Sequence, residues 1–151
     1  MPLTKPEICR LLPHTGDMCL LDAVQQWSDD EIVCSTSSHR DPANPLRCGD
    51  VLAAVSGVEY AAQAIGVHGR LVTRNETKPA AGFLASLRDV ALHVDRLDDI
   101  ADTLTIKVRR LADSGQGVMC EFIITASGRQ LLTGRATLLL DTAPAAPGLA
   151  P

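Results

Sequence analysis

The chain has 151 residues, 46% of them hydrophobic, and carries a formal net charge of −4. This length suits one domain with a buried core, and the mild negative charge argues against nucleic acid as the main partner, because phosphate recognition needs a basic surface. Aromatic residues make up only 3% of the chain, which argues against base-stacking platforms and leaves a core of aliphatic residues and alanine.

In chain order, the N-terminal part predicts a short helix followed by a strand hairpin. Pro6 can occupy the first turn of a helix over 7–12. Segments 18–26 and 31–35 have the composition of two strands, with an acidic turn between them. Residues 37–49 contain Asp-Pro and Asn-Pro pairs and are predicted to form a loop. Because this loop leads into the next helix, we expect it to form a wall of any site there.

A long central helix is predicted over 50–69, with Asp50 as N-cap and Gly69 as its end. It would be roughly 27 Å long at 1.5 Å per residue. It is apolar on nearly every face, which is typical of a buried helix. Glu59 and Gln63 near its middle argue against a membrane span.

Four strand-like segments follow the helix. They cover residues 82–94, 103–111, 118–126 and 130–140. The second alternates strictly between apolar and polar residues, and short turns join the last three, which predicts an antiparallel meander. Residues 70–81 are predicted to be a loop, and residues 142–151, rich in alanine and proline, a loose tail.

These elements predict an α+β fold, a single domain over 1–141 in which one helix packs against a curved antiparallel sheet. Such an arrangement leaves strand edges uncovered. A homodimer that continues the sheet would cover them.

The five cysteines are widely spaced and include no C-x-x-C pair. They are Cys9, Cys19, Cys34, Cys48 and Cys120. Their odd number and spacing predict free, buried thiols rather than a disulfide framework or a metal site. The first residues lack the continuous apolar segment of a signal peptide, so we predict a cytoplasmic protein.

Glu59 is the one carboxyl in the middle of the apolar helix, and Gln63 lies one turn later on the same face. A carboxyl group that loses hydration favours its protonated form, which suits a general acid/base. Ser56, Gly57 and Gly66 are small and would let a slender substrate come close. Alternatively, Glu59 is simply the exposed edge of the helix, but the near absence of other charges around it favours a function.

Two motifs resemble a known family. LLPHTGDMCLLDAV (11–24) is similar to the N-terminal motif of hotdog-fold 3-hydroxyacyl-ACP dehydratases, and GVEYAAQAIG (57–66) is similar to their catalytic helix. The resemblance covers about residues 8–140 and is greatest to the predicted dehydratases associated with aryl-polyene clusters. It implies a hotdog fold, removal of water from a 3-hydroxyacyl thioester on an acyl carrier protein or coenzyme A, and no cofactor or metal.

The resemblance also implies a site. Glu59 matches the catalytic acid and Gln63 the residue that supports it, while backbone N–H groups at the helix start would polarise the thioester carbonyl. The residues expected to bind substrate are Ala54, Val55, Ser56, Gly57 and Phe83. The family's H-F-P-G motif is absent, and Pro45 stands where its histidine would be. His39, in the same loop, is the nearest candidate for that catalytic role.

The remaining histidines are predicted to have structural rather than catalytic roles. His14 is expected to cap or pack the N-terminal loop, His68 to be favoured by the helix C-terminus, and His93 to lie at a surface or dimer contact. Arg88 and Arg135 are assigned no role.

Three functions remain open at this point. The first is a 3-hydroxyacyl-thioester dehydratase, active as a homodimer or larger hotdog oligomer. The second is a catalytically impaired hotdog subunit that partners an active dehydratase in a heterodimer, which the missing H-F-P-G favours. The third is an acyl-thioester hydrolase in which Glu59 alone activates water.

Overall fold

The computed structural model describes residues 2–12, 18–73, 82–114 and 116–140. Its helices and strands, in chain order, are β1 (Leu3–Thr4), α1 (Lys5–Leu11), β2 (Ala23–Trp27), β3 (Glu31–Thr36), α2 (Gly57–Thr73), β4 (Gly82–Leu92), β5 (Leu104–Asp113), β6 (Gly117–Ala126) and β7 (Arg129–Leu140). The strands form one antiparallel sheet in the order β1-β2-β3-β5-β6-β7-β4. The β2–β3 hairpin and the β5–β6–β7 meander are therefore confirmed.

Helix α2 lies against one face of this sheet, where it packs on β3, β5, β6 and β7. On β5, Leu104, Ile106 and Val108 are fully buried, whereas Lys107 and Arg109 are exposed. This alternation follows the period-two pattern of the sequence. The predicted α+β fold, with one long helix covered by an antiparallel sheet, is confirmed.

The helix and the sheet approach each other closely at Gly57, the first residue of α2. A Cβ atom at this position would lie 2.7 Å from Leu132 Cδ2 and 3.2 Å from Ile124 Cδ1. Real Cβ contacts do not reach the shorter of these distances, so a glycine is needed for this packing rather than for chain flexibility.

The predicted bounds of the central helix are wrong at both ends. Asp50 lies in a turn closed by the Cys48–Val51 bridge, and a 3-10 turn (Ala54–Ser56) precedes α2. The entry segment pairs with the turn after β4 instead, since the Ala53 backbone bridges Arg96. At the other end, α2 runs through Gly69 to Thr73, and so the first residues of the predicted 70–81 loop are helical.

The prediction of free cysteines is wrong for two of the five. Cys9 on α1 and Cys19 form a disulfide. Their partnership depends on α1 folding back onto the core, where Ile8 and Leu12 are buried, and spacing alone does not reveal that packing. The remaining three cysteines are free, and they are Cys34, Cys48 and Cys120.

The free thiols differ in their surroundings. Cys34 and Cys120 are buried as predicted, and burial raises the pKa of each thiol to about 12. Cys48 is exposed, contrary to the prediction.

Two smaller predictions meet different outcomes. The strand expected over 18–26 begins only at Ala23, because residues 18–20 turn toward α2. The predicted tail over 142–151 lies outside the described residues. Within the described residues, neither helix is long and apolar enough to cross a membrane.

Candidate active site

The structure brings Glu59 and Gln63 together on one side of α2. They lie one turn apart, and Gln63 Nε2 donates a hydrogen bond to Glu59 Oε1 at 3.4 Å. Gln63 is buried, with 1% of its surface exposed, whereas Glu59 is half-buried. The carboxyl group thus retains access to solvent or substrate, while the neighbouring amide is enclosed.

The Gln63 amide is held by backbone on both of its polar atoms. Its Nε2 donates to the Met18 carbonyl oxygen at 2.6 Å, and its Oε1 accepts from the Leu20 N–H at 2.9 Å. These contacts give the amide a defined orientation, because its donor and acceptor sides both have partners. Gln63 therefore links α2 to the backbone on either side of Cys19.

The Leu20 carbonyl oxygen is the second connection of this segment. It accepts hydrogen bonds from Thr36 Oγ1 at 2.6 Å and from Ser38 Oγ at 2.7 Å. Ser38 Oγ also lies 2.9 Å from the Tyr60 hydroxyl, which accepts from Asn44 Nδ2 at 3.0 Å. Burial raises the pKa of Tyr60, so the phenol is neutral and serves as a hydrogen-bonding group in this network.

His39 follows Ser38 in a 3-10 turn (Ser38–Arg40) and is fully buried. Its Nε2 is 3.0 Å from the Ile100 carbonyl oxygen, and its Nδ1 has no hydrogen-bond partner among the residues that the structure describes. Burial lowers the pKa of the imidazole, which favours the neutral ring. These contacts lead toward the loop before β5, and the predicted catalytic role of His39 stays a prediction.

The helix entry, where substrate binding is predicted, is supported by the turn after β4. The Ala54 N–H donates to the Asp95 carbonyl oxygen at 3.0 Å, and the Leu52 N–H donates to Asp98 Oδ1 at 2.9 Å. Hydrogen bonds from Arg96 to Asp98 hold the pKa of this carboxyl well below its usual range. An ionised carboxylate therefore holds the chain at Leu52, just before the 3-10 turn that leads into α2.

This geometry changes the expectation of free N–H groups at the helix entry. The N–H groups of Ala54, Ser56 and Gly57 are already bonded, to Asp95 and within the 3-10 turn. Of the four predicted substrate-binding residues at the helix entry, Val55 is the most exposed, at 55%. The backbone of Phe83 pairs with Leu139 on β7, and its side chain lies outside what the structure describes.

The predictions for the other three histidines have different outcomes. His68 is buried inside α2 and its Nε2 is 2.7 Å from the Ser28 carbonyl oxygen. Burial lowers its pKa, so the expected stabilisation of a charged His68 by the helix end is wrong. His93 is exposed, and His14 lies outside the described residues.

No group of three or more potential metal-binding side chains occurs within the described parts of the chain. An open cavity of about 340 Å³ lies beside the helix entry. It is lined by His93, Val94, Asp95, Arg96, Asp99, Ile100 and Arg129. Its lining includes neither Glu59 nor Gln63.

Sequence reasoning missed the groups that hold the site. Met18 and Leu20 act through their backbone, which no side-chain pattern reveals, and Ser38, Asn44 and Tyr60 meet only in the folded chain. The motif segment 11–24 was the available signal, because its second half contains the residues that bind Gln63.

Comparison with known proteins decides the family. The model of the ApeP-like family, described as ApeP dehydratase, matches residues 6–144. The chain belongs to the ApeP-like dehydratase family. It is therefore a hydro-lyase with a hotdog fold, as the two motifs implied.

Among solved structures, a chain of the dehydratase heterocomplex ApeI:P from Xenorhabdus doucetiae is 30% identical. The match covers 88% of this chain and 90% of that chain, with a TM-score of 0.78. No curated protein matches the chain.

More distant structures share the hotdog fold alone. AziG from S. sahachiroi is 13% identical, with a TM-score of 0.62, and the match covers 87% of this chain and 98% of that chain. A hypothetical thioesterase with coenzyme A from Streptococcus pneumoniae is 16% identical, with a TM-score of 0.55 and coverage of 78% and 83%. Likeness at this level shows the fold and carries no reaction.

Proposed function

We propose that this dehydratase removes water from a 3-hydroxyacyl thioester on an acyl carrier protein or coenzyme A, with Glu59 as its acid/base. One observation carries the proposal. The half-buried Glu59 carboxyl lies beside a Gln63 amide whose orientation is fixed from Met18 and Leu20. A positioned carboxyl with an orienting partner is the arrangement that general acid/base catalysis needs.

The chemistry balances with one carboxyl. The Glu59 carboxylate takes the proton from C2 of the acyl chain, the C3–O bond breaks, and the carboxyl returns that proton to the departing hydroxyl. The products are a trans-2-enoyl thioester and water. Gln63 holds the carboxyl in place through its N–H, and these steps balance without His39, whose predicted catalytic role stays a prediction.

The test compares Glu59→Gln with Glu31→Gln, a surface variant on β3. Both receive a 3-hydroxyacyl thioester and its trans-2-enoyl counterpart, and interconversion and free thiol are followed together. We expect interconversion to fall about 10²–10⁴-fold in Glu59→Gln and to remain unchanged in Glu31→Gln. Full activity of Glu59→Gln would refute the assignment, and thiol release without enoyl product would point to a hydrolase. His39→Ala in the same assay tests the predicted role of that histidine.

We further propose that a second hotdog subunit pairs along β4. This strand ends the sheet, and its exposed residues include Leu84, Leu87, Val90 and Leu92. A long apolar edge strand is unfavourable in water and is normally covered. The ApeI:P heterocomplex supports a hotdog partner, which can be a second copy or a related subunit with its own catalytic groups.

Leu87→Lys tests this interface, with Leu111→Lys as a control, because both leucines are 39% exposed and Leu111 lies on β5. We expect the molar mass from light scattering to be that of a dimer for the wild type and the control, and of a monomer for Leu87→Lys. A monomeric wild type that binds no second hotdog subunit in a pull-down with co-expressed candidates would contradict the proposal.

The predicted cytoplasmic location also stays a proposal. The Cys9–Cys19 disulfide is relevant to this location, because the role of a disulfide depends on the redox state of its compartment. Disulfides in the cytosol are usually transient, catalytic or redox-sensing, whereas those of oxidising compartments are structural.

A further inference from the structure

The Cys9–Cys19 disulfide is attached to the segment that holds the active site. Cys19 stands between Met18, whose carbonyl accepts from the Gln63 amide, and Leu20, whose N–H donates to it. A bond at the Cys19 side chain therefore restrains both backbone groups that orient Gln63. This arrangement connects a redox-active group to Glu59 through one residue.

The same segment reaches the other side of the site. The Leu20 carbonyl accepts from Ser38, the neighbour of His39, and Ser38 lies within hydrogen-bond distance of the Tyr60 hydroxyl. A shift of the Leu20 peptide would therefore disturb the Gln63 amide and the Ser38–Tyr60 contact together. Positioning of this kind is demanding, because displacement by about 1 Å can cost about 10²-fold in rate.

Without the disulfide, the remaining anchors of α1 are modest. Among the described residues they include the two-residue strand β1, the buried side chains of Ile8 and Leu12, and a half-exposed ion pair between Lys5 and Asp22 at 3.1 Å. The buried side chains keep α1 on the core, whereas a half-exposed ion pair adds little. Loss of the disulfide would therefore loosen the segment around Cys19 without unfolding the domain.

We propose that Cys9 and Cys19 are positioning residues whose disulfide holds the Gln63–Glu59 pair, so that dehydratase activity depends on the redox state of the chain. The inference rests on the proposed role of Glu59. The disulfide form is the active form, and reduction by a cellular dithiol lowers the turnover. Cys9 is the accessible partner, because it is partly exposed whereas Cys19 is 1% exposed.

The redox step is a two-electron exchange. One thiolate of the dithiol attacks the Cys9 sulfur, the S–S bond breaks, and Cys19 leaves as a thiolate that takes up a proton. The second thiol of the reductant, as a thiolate, then attacks the reductant's first sulfur in the mixed disulfide. This releases Cys9 as a thiolate, which is protonated in turn. The protein gains two electrons and two protons, and the dithiol becomes a cyclic disulfide.

The experiment uses the full chain, oxidised or reduced with dithiothreitol, and alkylation with mass measurement confirms the state of the two cysteines. We expect kcat to fall by about five-fold or more on reduction, since a displacement of about 1 Å can cost up to about 10²-fold in rate, with KM little changed. The double variant Cys9→Ala/Cys19→Ala should have the kcat of the reduced wild type, and dithiothreitol should not change it. Cys48→Ala, which removes the exposed free thiol, should respond as the wild type does.

Amide hydrogen exchange separates this positioning role from general destabilisation. We expect exchange at Leu20 to accelerate on reduction while exchange at Ile106, in the core of β5, stays slow. Equal kcat in both fully verified redox states would overturn the proposal, as would a fall in kcat without faster exchange at Leu20. A chain inactive in both states would instead refute the proposed function, and the Leu20 exchange would still decide whether the disulfide holds the segment.

Discussion

Replacement of Gln63 by leucine tests whether its amide holds the site as the structure indicates. The two side chains are similar in volume, so the change removes hydrogen bonds without opening a large cavity. The Leu20 N–H, which is buried, and the Met18 carbonyl, which is partly buried, both lose their partner. An unsatisfied buried group costs about 1–3 kcal/mol, and with the Met18 carbonyl discounted for partial exposure we expect a loss of about 2–4 kcal/mol in the free energy of unfolding.

Urea unfolding, followed by fluorescence and circular dichroism, measures this loss against a surface control. Gln26 on β2 is exposed, so Gln26→Leu should change the free energy of unfolding by less than about 0.5 kcal/mol. A loss below about 1 kcal/mol for Gln63→Leu would refute the reasoning, because it would mean that the two backbone groups find other partners.

Gln63→Glu adds a test of direction. The new carboxylate can accept from the Leu20 N–H, but while ionised it cannot donate to the Met18 carbonyl, and it lies beside Glu59. Folding therefore favours its protonated form. The deficit relative to the wild type should be largest at neutral pH and shrink as the pH falls, and a deficit that grows with acid would contradict the geometry.

Two further predictions concern α2. Gly57→Ala should lower the free energy of unfolding by about 1–3 kcal/mol, because the added methyl group overpacks against Leu132. Gly69→Ala should raise it by about 0.5–1 kcal/mol through helix propensity, because an added Cβ there meets nothing within 4 Å. Thermal unfolding of the two variants checks this, and equal shifts in melting temperature would count against the packing argument. Burial lowers the pKa of His68, so the ring stays neutral in the folded chain at a pH where the unfolded chain protonates it. The neutral ring's contribution to stability is therefore fully present above about pH 6.5 and is lost as the pH falls below that value. The wild type should therefore lose up to about 1.4 kcal/mol per pH unit more than His68→Gln there, and parallel curves would contradict it.

The sequence allowed most of the sheet to be predicted, and the reason is local. Alternation in β5 places Leu104, Ile106 and Val108 on one face wherever the strand lies, so burial follows from the pattern. The helix ends were predicted less well. Asp50 is a residue type that favours N-caps, but the backbone before α2 pairs with Arg96 and Asp95 instead of starting the helix at Asp50. The start of the helix therefore depends on residues more than forty positions away.

The candidate site shows the same division. Glu59 and Gln63 were recognisable because a charged and an amide side chain stand one turn apart in an otherwise apolar helix. Their partners were not, because Met18 and Leu20 contribute backbone groups that every residue has. The position of His39 in the loop before α2 predicts a catalytic role, but the sequence does not reveal that its ring is buried with Nε2 near the Ile100 carbonyl, and the role stays a prediction.

The sequence by itself determined the fold class and the family, because periodicity and two short motifs are properties of consecutive residues. Only the tertiary structure decided which cysteines are bonded, how Gln63 is held and where α2 begins. Each of these depends on segments that are distant in the chain meeting in space, as when α1 folds onto the core and brings Cys9 to Cys19. Such contacts follow from the packing of the whole domain, which no single stretch of sequence contains.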